Sequence, residues 1–377
     1  MADHAHDGPD PSGNGAEPEV ASGEEAVLRR IEAFRRKAPR LRDDFINSAH
    51  GAGGKASAAL VDGVFVQAFA NDALAPLTDG ATLTLPSGER IAFSTDSSVV
   101  NPLRFPGGSI GHLAVHGTVN DVAMMGAVPQ WVSAAFILED GFPVADLRGI
   151  VADMAEAAAN AGVSIVTGDT KVVSKGAADG LYIATAGMGL IPADVHLDAT
   201  SVRPGDRVLV SGTIGDHGVA VMLARGELGI EADIESDTAP LGSLVADLLA
   251  AAPNTRWLRD PTRGGVATVC NELARAAEVA VILNEAELPV RPAVNGACEI
   301  LGIDPLYVAN EGKLVAVLPA GEADAALAAV QAHPLGTGAA LVGEIRDDPP
   351  GMVVINTGFG GNRIVDMLAG DPLPRIC

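Results

Sequence analysis

The sequence predicts a two-domain protein, an α+β domain followed by an α/β domain, on three observations. At 377 residues the chain exceeds one comfortable core, so two domains are expected. Between His50 and about residue 200, strand-like and helical patterns mix with hairpin-like neighbours, the α+β signature. After the turn at Pro204-Gly205-Asp206 strands and helices alternate, which reads as α/β. The expected division is an N-terminal extension over 1–45, a first domain over 46–200, a second over 201–368 and a flexible tail over 369–377.

Taken in order, residues 1 to about 23 are rich in Gly, Pro, Asp and Glu and read as disordered, with His4 and His6 in a solvated tail. "EEAVLRRIEAFRRKAPRLRDD" predicts a helix with a basic side from Arg29 to Arg42. "HGAGGKAS" is a glycine loop, and "RIAFSTDSSVV" a strand ending at Asp96. "PGGSIGHLAVHGTVNDVAMMG" opens into a helix that stops near Gly126, and "PQWVSAAFIL" is a strand. "PVADLRGIVADMAEAAANAG" has Leu147, Ile150, Val151 and Met154 at helical spacing and Gly162 at its end. "VSIVTGDTK" and "GLYIATAGMGLI" are strands. The second domain opens with a strand from Arg207 to Ser211. Helices at Leu241–Ala252, Gly264–Ala277 and Glu322–Ala332 then alternate with strands at Val279–Leu283, Leu314–Leu318 and Met352–Ile355.

Composition narrows the function. The net charge of −23 argues against a nucleic-acid partner, because phosphate backbones need clustered Lys and Arg. It leaves room for a nucleotide whose phosphates are carried by a carboxylate-bound Mg²⁺. Three cysteines without CxxC spacing fit a reducing compartment, and no uncharged apolar run reaches the roughly 18 residues of a membrane span. A cytoplasmic location is the expectation.

Four carboxylates recur just after apolar strands or in glycine-flanked turns: Asp79 after "APLT", Asp96 after "AFST", Asp121 in "TVND" and Asp169 after "SIVTG". Strand ends converge on one sheet edge, so these side chains can meet and hold a Mg²⁺–nucleotide; each alone is also an ordinary turn residue. "HGAGGK", with Lys55, and "FPGGSIG" either offer backbone N–H groups to phosphates or form plain tight turns, and neither is a Walker A loop. His112, His116 and Asn120 share one helix face, but "HLAVH" lacks the glutamate of a zinc motif and reads as a polar face. "RDPTRGG" puts Asp260 and Arg263 before a helix, as an anion site or a loop. "ANEGK" puts Glu311 and Lys313 before a strand, as a catalytic glutamate or a surface turn. Cys270 and Cys298 sit on apolar helix patterns and read as inert thiols. Cys377 is the final residue, and Pro372 and Pro374 favour an extended tail that projects its thiol at a movable tip.

Together, "HGAGGK", "FSTDSSVVNPLRFPGGSIGHLAVHGTVNDVAMMGA", "FILEDGFP", "IVTGDTKVV", "DPTRGGVAT", "ANEGK" and the terminal "PRIC" resemble the hydrogenase expression/formation (HypE, carbamoyl dehydratase) family, in family order from about His50 to the end. The leading fifty residues lie largely outside that pattern, "LTDGAT" is a loose form of its motif, and His112 and His116 do not belong to it.

The resemblance implies an aminoimidazole ribonucleotide synthetase-like fold whose N-terminal domain dimerises through its sheet. It implies ATP and Mg²⁺ as cofactors, held by Asp79, Asp96, Asp121 and Asp169 with Lys55 and Asn120. It implies that a HypF-type carbamoyltransferase loads a carboxamide onto Cys377, that ATP drives its dehydration to a thiocyanate with Glu311 and Lys171 as candidate bases, and that a HypC–HypD-type scaffold receives the cyanide for a [NiFe] hydrogenase. A relative phosphorylating a free metabolite and a non-catalytic thiol carrier are the rival expectations.

Overall fold

A glycine-punctuated first half and an Ala/Val/Leu/Ile-rich second half fold into two sheets that share one buried helix. The computed structural model describes Met1 and residues 40–226, 232–358, 360–368, 370 and 375–377. The tail prolines and most of the expected N-terminal helix lie outside these residues; the predicted end of that helix, 40–44, is not helical. Pro39 to Cys377 form one compact unit.

The first half opens with the glycine loop and α1 (Lys55–Leu60). It continues through β1 (Ala81–Thr84), β2 (Arg90–Ser98), the small hairpin β3 (Arg104–Phe105) and β4 (Gly108–Ser109), and α2 (Ile110–Met124). β5 (Val128–Glu139), α3 (Val144–Ala161), β6 (Ser164–Val173) and β7 (Leu181–Ile191) complete it. Its sheet has the order β1-β2-β7-β5-β6; only the β5–β6 pair is parallel, as a strand–helix–strand crossover requires. α3 stops at Gly162, whose φ of +69° is the left-handed cap that glycine tolerates.

One face of this sheet is packed by α2, whose Thr118 hydroxyl meets that of Thr185 on β7 at 2.6 Å. The opposite face is open: Phe93, Trp131 and Ile137 are exposed there, and on the edge strand β6 Ile165, Val166 and Val172 are exposed as well.

The second half runs β8 (Arg207–Val210), α4 (Asp216–Ala224), α5 (Gly242–Ala251), β9 (Trp257–Arg259), α6 (Gly265–Ala276) and β10 (Ala280–Asn284). α7 (Pro292–Leu301), β11 (Val315–Leu318), α8 (Ala323–Ala332), β12 (Ala340–Arg346), β13 (Met352–Asn356) and β14 (Asn362–Val365) follow. The strand–helix alternation holds within a mixed seven-stranded sheet, β14-β13-β10-β12-β8-β11-β9, in which only β10 and β13 pair in parallel. No helix among the described residues is long and apolar enough to cross a membrane.

α2 is enclosed on every side: nearly every one of its residues is buried, the polar His116, Thr118 and Asn120 among them. Its C-terminal Ala123 and Met124 pack with Leu209, Leu241 and Leu244 of the second half, so the two sheets share this helix. Asn120 completes the joint. It donates to the carbonyls of Ala239 (3.0 Å) and Glu311 (3.2 Å), and its Oδ1 accepts from the Leu241 N–H (2.8 Å). A buried amide with these partners serves to join the two halves.

Candidate active site

The joint brings acidic side chains from five chain segments to one place. Asp79 lies in the loop before β1, Asp96 on β2, Asp121 on α2, Asp260 just after β9, and Glu311 in the loop before β11. One carboxylate oxygen from each of Asp79, Asp121 and Asp260 lies within 4.8 Å of the others. The Ser94 hydroxyl stands 2.7 Å from Asp121 Oδ2 and 2.7 Å from the Asp79 carbonyl. Arg259 Nε contacts Asp79 Oδ1 at 2.7 Å and its Nη2 contacts Glu272 at 3.0 Å.

Asp96 runs inside β2 instead of ending it, and its carboxylate rests on α2 at Gly117. A Cβ at Gly117 would stand 2.6 Å from Asp96 Oδ2, so a larger residue there would make this carboxylate move. The glycine loop closes on the second half in a similar way: a Cβ at Gly54 would lie 2.3 Å from the Leu368 carbonyl. The Lys55 N–H donates to that carbonyl at 2.9 Å and Lys55 Nζ pairs with Asp366 at 2.6 Å. Arg263 donates to the Gly51 carbonyl at 2.8 Å.

Burial dominates the electrostatics. It raises the Asp79 and Asp121 carboxyls well above the usual range, with neighbouring carboxylates adding to the effect and Arg259 opposing it at Asp79. Asp260 is pushed up to about 6, again first by burial. Glu311 is 5% exposed and raised by burial, then by Asp96, Asp260 and Asp237. Among the described residues its Oε1 has no hydrogen-bond partner. A dense set of carboxylates with one unsatisfied buried oxygen has the donor chemistry of a hard, oxygen-seeking divalent cation.

Asp169 and Lys171 stand elsewhere in the protomer. Asp96 pairs across the sheet with Thr185, Ala134 and Gly168, so Asp169 falls on the opposite, open face. There Lys171 Nζ pairs with Asp169 Oδ2 at 2.6 Å, and this lysine holds the Asp169 carboxyl below its ordinary range. Asp260, expected in an anion site or a plain loop, stands with Asp79 and Asp121 where Asp169 was expected; its signal, an Asp directly after a strand, was the one used for the others. His116 is buried instead of lying on a solvated polar face: Nδ1 meets Thr238 at 3.0 Å, Nε2 has no hydrogen-bond partner among the described residues, and burial lowers its pKa to about 3.

The C-terminal tip is docked, where the sequence suggested a projecting thiol. The Val99 N–H donates to the terminal carboxylate of Cys377 (3.1 Å), and the Asn101 N–H to the Arg375 carbonyl (3.2 Å). Arg225 donates to the same carbonyl, and Arg375 pairs with Asp179. Ile376 is buried in the core that α2 helps to build. Cys377, half-buried, thus lies beside the segment that follows β2, about 10 Å of strand from Asp96.

Two sheets sharing a helix, with carboxylates gathered at their junction, define the AIR synthase related class. Residues 77–191 match the family described as AIR synthase related protein, N-terminal domain, and 203–356 match its C-terminal domain. The chain belongs to the carbamoyl dehydratase HypE family. It is 54% identical to Carbamoyl dehydratase HypE of Cupriavidus necator over 332 residues, covering 88% of this chain and 95% of that one. It is similar to HypE in a HypE–HypF complex, with a TM-score of 0.78, 48% identity and coverage of 82% of this chain and 100% of that chain. It is also similar to hydrogenase maturation protein HypE in complex with ATP, with a TM-score of 0.74, 46% identity and coverage of 87% and 98%.

The raised carboxyls carry a pH prediction. Their folded pKa values exceed the unfolded ones, so the stability they contribute is present at low pH and lost as pH rises through the folded values. Buried neutral His116 and His217 act in the opposite sense below the ordinary histidine value of 6.5, so a difference measurement is needed. The melting-temperature gain from millimolar Mg²⁺ should grow as pH rises through about 6, where Asp260 sheds its proton, and should shrink in Asp260→Asn. Thermal scans with Mg²⁺ and with EDTA from pH 5.5 to 8 measure it.

Proposed function

We propose that this protein is an ATP-dependent carbamoyl dehydratase of [NiFe] hydrogenase maturation, acting on an S-carboxamide carried by its own Cys377. The observation that carries this reading is the Cys377 tip docked beside the β2 strand that bears Asp96. An amide oxygen is a poor leaving group, and phosphate a good one. In the reaction the carboxamide oxygen attacks the γ-phosphorus of ATP, ADP departs, and the amide nitrogen loses a proton. Breaking the C–O bond then releases phosphate, the second amide proton leaves the nitrogen, and a thiocyanate remains on sulfur.

Asp79, Asp96, Asp121 and Asp260 would hold Mg²⁺, which when bound supplies charge neutralisation for phosphoryl transfer. The glycine loop would offer backbone N–H groups to the phosphates, and Lys55, paired here with Asp366, would turn toward them. Glu311, its pKa raised by burial and neighbouring carboxylates, takes the amide proton. Position and charge do most of the work.

The open sheet face supports a homodimer. Phe93, Trp131 and Ile137 would leave water there, with exposed Val166 on the edge strand beside them, and a second copy would bring Asp169 and Lys171 of the partner subunit toward the site. A HypF-type carbamoyltransferase loads the tail and a HypC–HypD-type scaffold receives the cyanide, in the cytoplasm.

Intact-mass analysis of carbamoylated protein before and after MgATP tests the reaction. The expected result is loss of one water at Cys377; retained mass contradicts it, and nucleotide turnover on a small metabolite by Cys377→Ala would favour the free-metabolite kinase instead. For the dimer, Val166→Asp should convert the protein to monomer in light scattering, and a wild-type monomer would refute the assembly.

A further inference from the structure

His217, in the first turn of α4, is fully buried, and no role was expected of it from sequence. Its two ring nitrogens have different partners. Nδ1 lies 2.8 Å from Ser236 Oγ, and Nε2 lies 2.9 Å from the carbonyl oxygen of Ile376, the residue before Cys377. Ser236 Oγ accepts from the Thr238 N–H at 3.1 Å, which leaves its own proton to donate to Nδ1. The imidazole is therefore the Nε2–H tautomer, and Nε2 donates to the tail. Burial lowers its pKa and keeps it neutral. Phe105 holds the ring edge-on at a centroid distance of 5.5 Å.

Ser236 is itself anchored, its N–H donating to the Pro106 carbonyl at 2.8 Å. The next residue, Asp237, accepts the Glu311 N–H at 3.0 Å and pairs with Lys313 at 3.1 Å. One short segment thus holds the Glu311 loop through Asp237 and the tail through Ser236 and His217. A bond to the carbonyl one residue from the thiol fixes where the sulfur stands while leaving the sulfur untouched. A neutral hydrogen bond is also weak enough to be released: it shifts an equilibrium by roughly three- to tenfold. The tail can therefore leave to be loaded and return to react.

We propose that His217 is a positioning residue for the dehydration: its Nε2–H grips the Ile376 carbonyl and so sets the place of the Cys377 carboxamide relative to Glu311. The proposal rests on the reading of Cys377 as the carrier of the carboxamide, and its test separates the two.

The variants are His217→Gln, whose amide can reach the Ile376 carbonyl, and His217→Asn, which is one methylene short but can still meet Ser236. Both lose the ring, so a purely packing role would move them together. Two readouts are taken on the full chain: alkylation of Cys377 by iodoacetamide, followed by intact mass, and single-turnover loss of water from carbamoylated Cys377 at saturating MgATP. Cys270 and Cys298 are buried and stay silent in the first.

In Asn we expect alkylation about three- to tenfold faster and single turnover about tenfold slower, with an unchanged ATP dissociation constant; Gln should recover most of both. Wild-type alkylation rates in Asn, or equal losses in Gln and Asn, would overturn the proposal. If alkylation responds as expected but no form loses water, the grip on the tail stands and the dehydratase reading fails.

Discussion

Like charges crowded out of water are the constraint on which this structure turns. Two full charges 4–5 Å apart repel by roughly 3–4 kcal/mol at an effective dielectric constant of about 20, and the Asp79, Asp121 and Asp260 oxygens lie within 4.8 Å of one another. Arg259 offsets part of this at Asp79, and burial drives the rest toward protonation. A chain selected for stability alone would not gather carboxylates at the junction of its two halves. The arrangement becomes favourable when a divalent cation and its nucleotide supply the missing positive charge and oxygen ligands.

The fold meets that constraint with rigid parts. α2 is enclosed by both sheets, Asn120 ties it to the Glu311 loop, and Gly117 lets the Asp96 carboxylate lie on its surface. The glycine loop and the tail are the parts that close on this frame, and both are held by contacts of modest strength. Backbone bonds at Val99 and Asn101, the buried side chain of Ile376 and the His217 bond hold the tip. Each is individually reversible.

Much of this was legible in the sequence. Most long elements were readable from periodicity and glycine stops: α3 ends at Gly162 and α6 fills the span from Gly264 to Ala277, whereas α4 and β12 were not expected. Asp79, Asp96 and Asp121 were singled out as a set by their apolar and glycine-rich surroundings, and they do gather, although Asp96 lies within β2 and Asp121 on α2 instead of at strand ends. Asp169 met the same rule and still falls on the open face, because β6 pairs with β5 in a register that only tertiary structure reveals. Asp260 was seen but left between an anion site and a plain loop, since Arg263 and the glycines beside it fit either. The tail was judged by its prolines, whereas its apolar penultimate residue, Ile376, governs where the tip rests. His217 had no legible signal, because a histidine at a helix start gains meaning only when Ser236 and the chain terminus arrive from elsewhere.

The measurement that addresses the central claim most directly is calorimetric titration of ATP into the protein with Mg²⁺ and again with excess EDTA. If the carboxylates form a cation-charged pocket, binding should be tight with Mg²⁺ and at least about a hundredfold weaker without it, since the phosphates then face uncompensated negative charge. Equal affinity under both conditions would show that the nucleotide does not sit on this cluster, and would contradict the account.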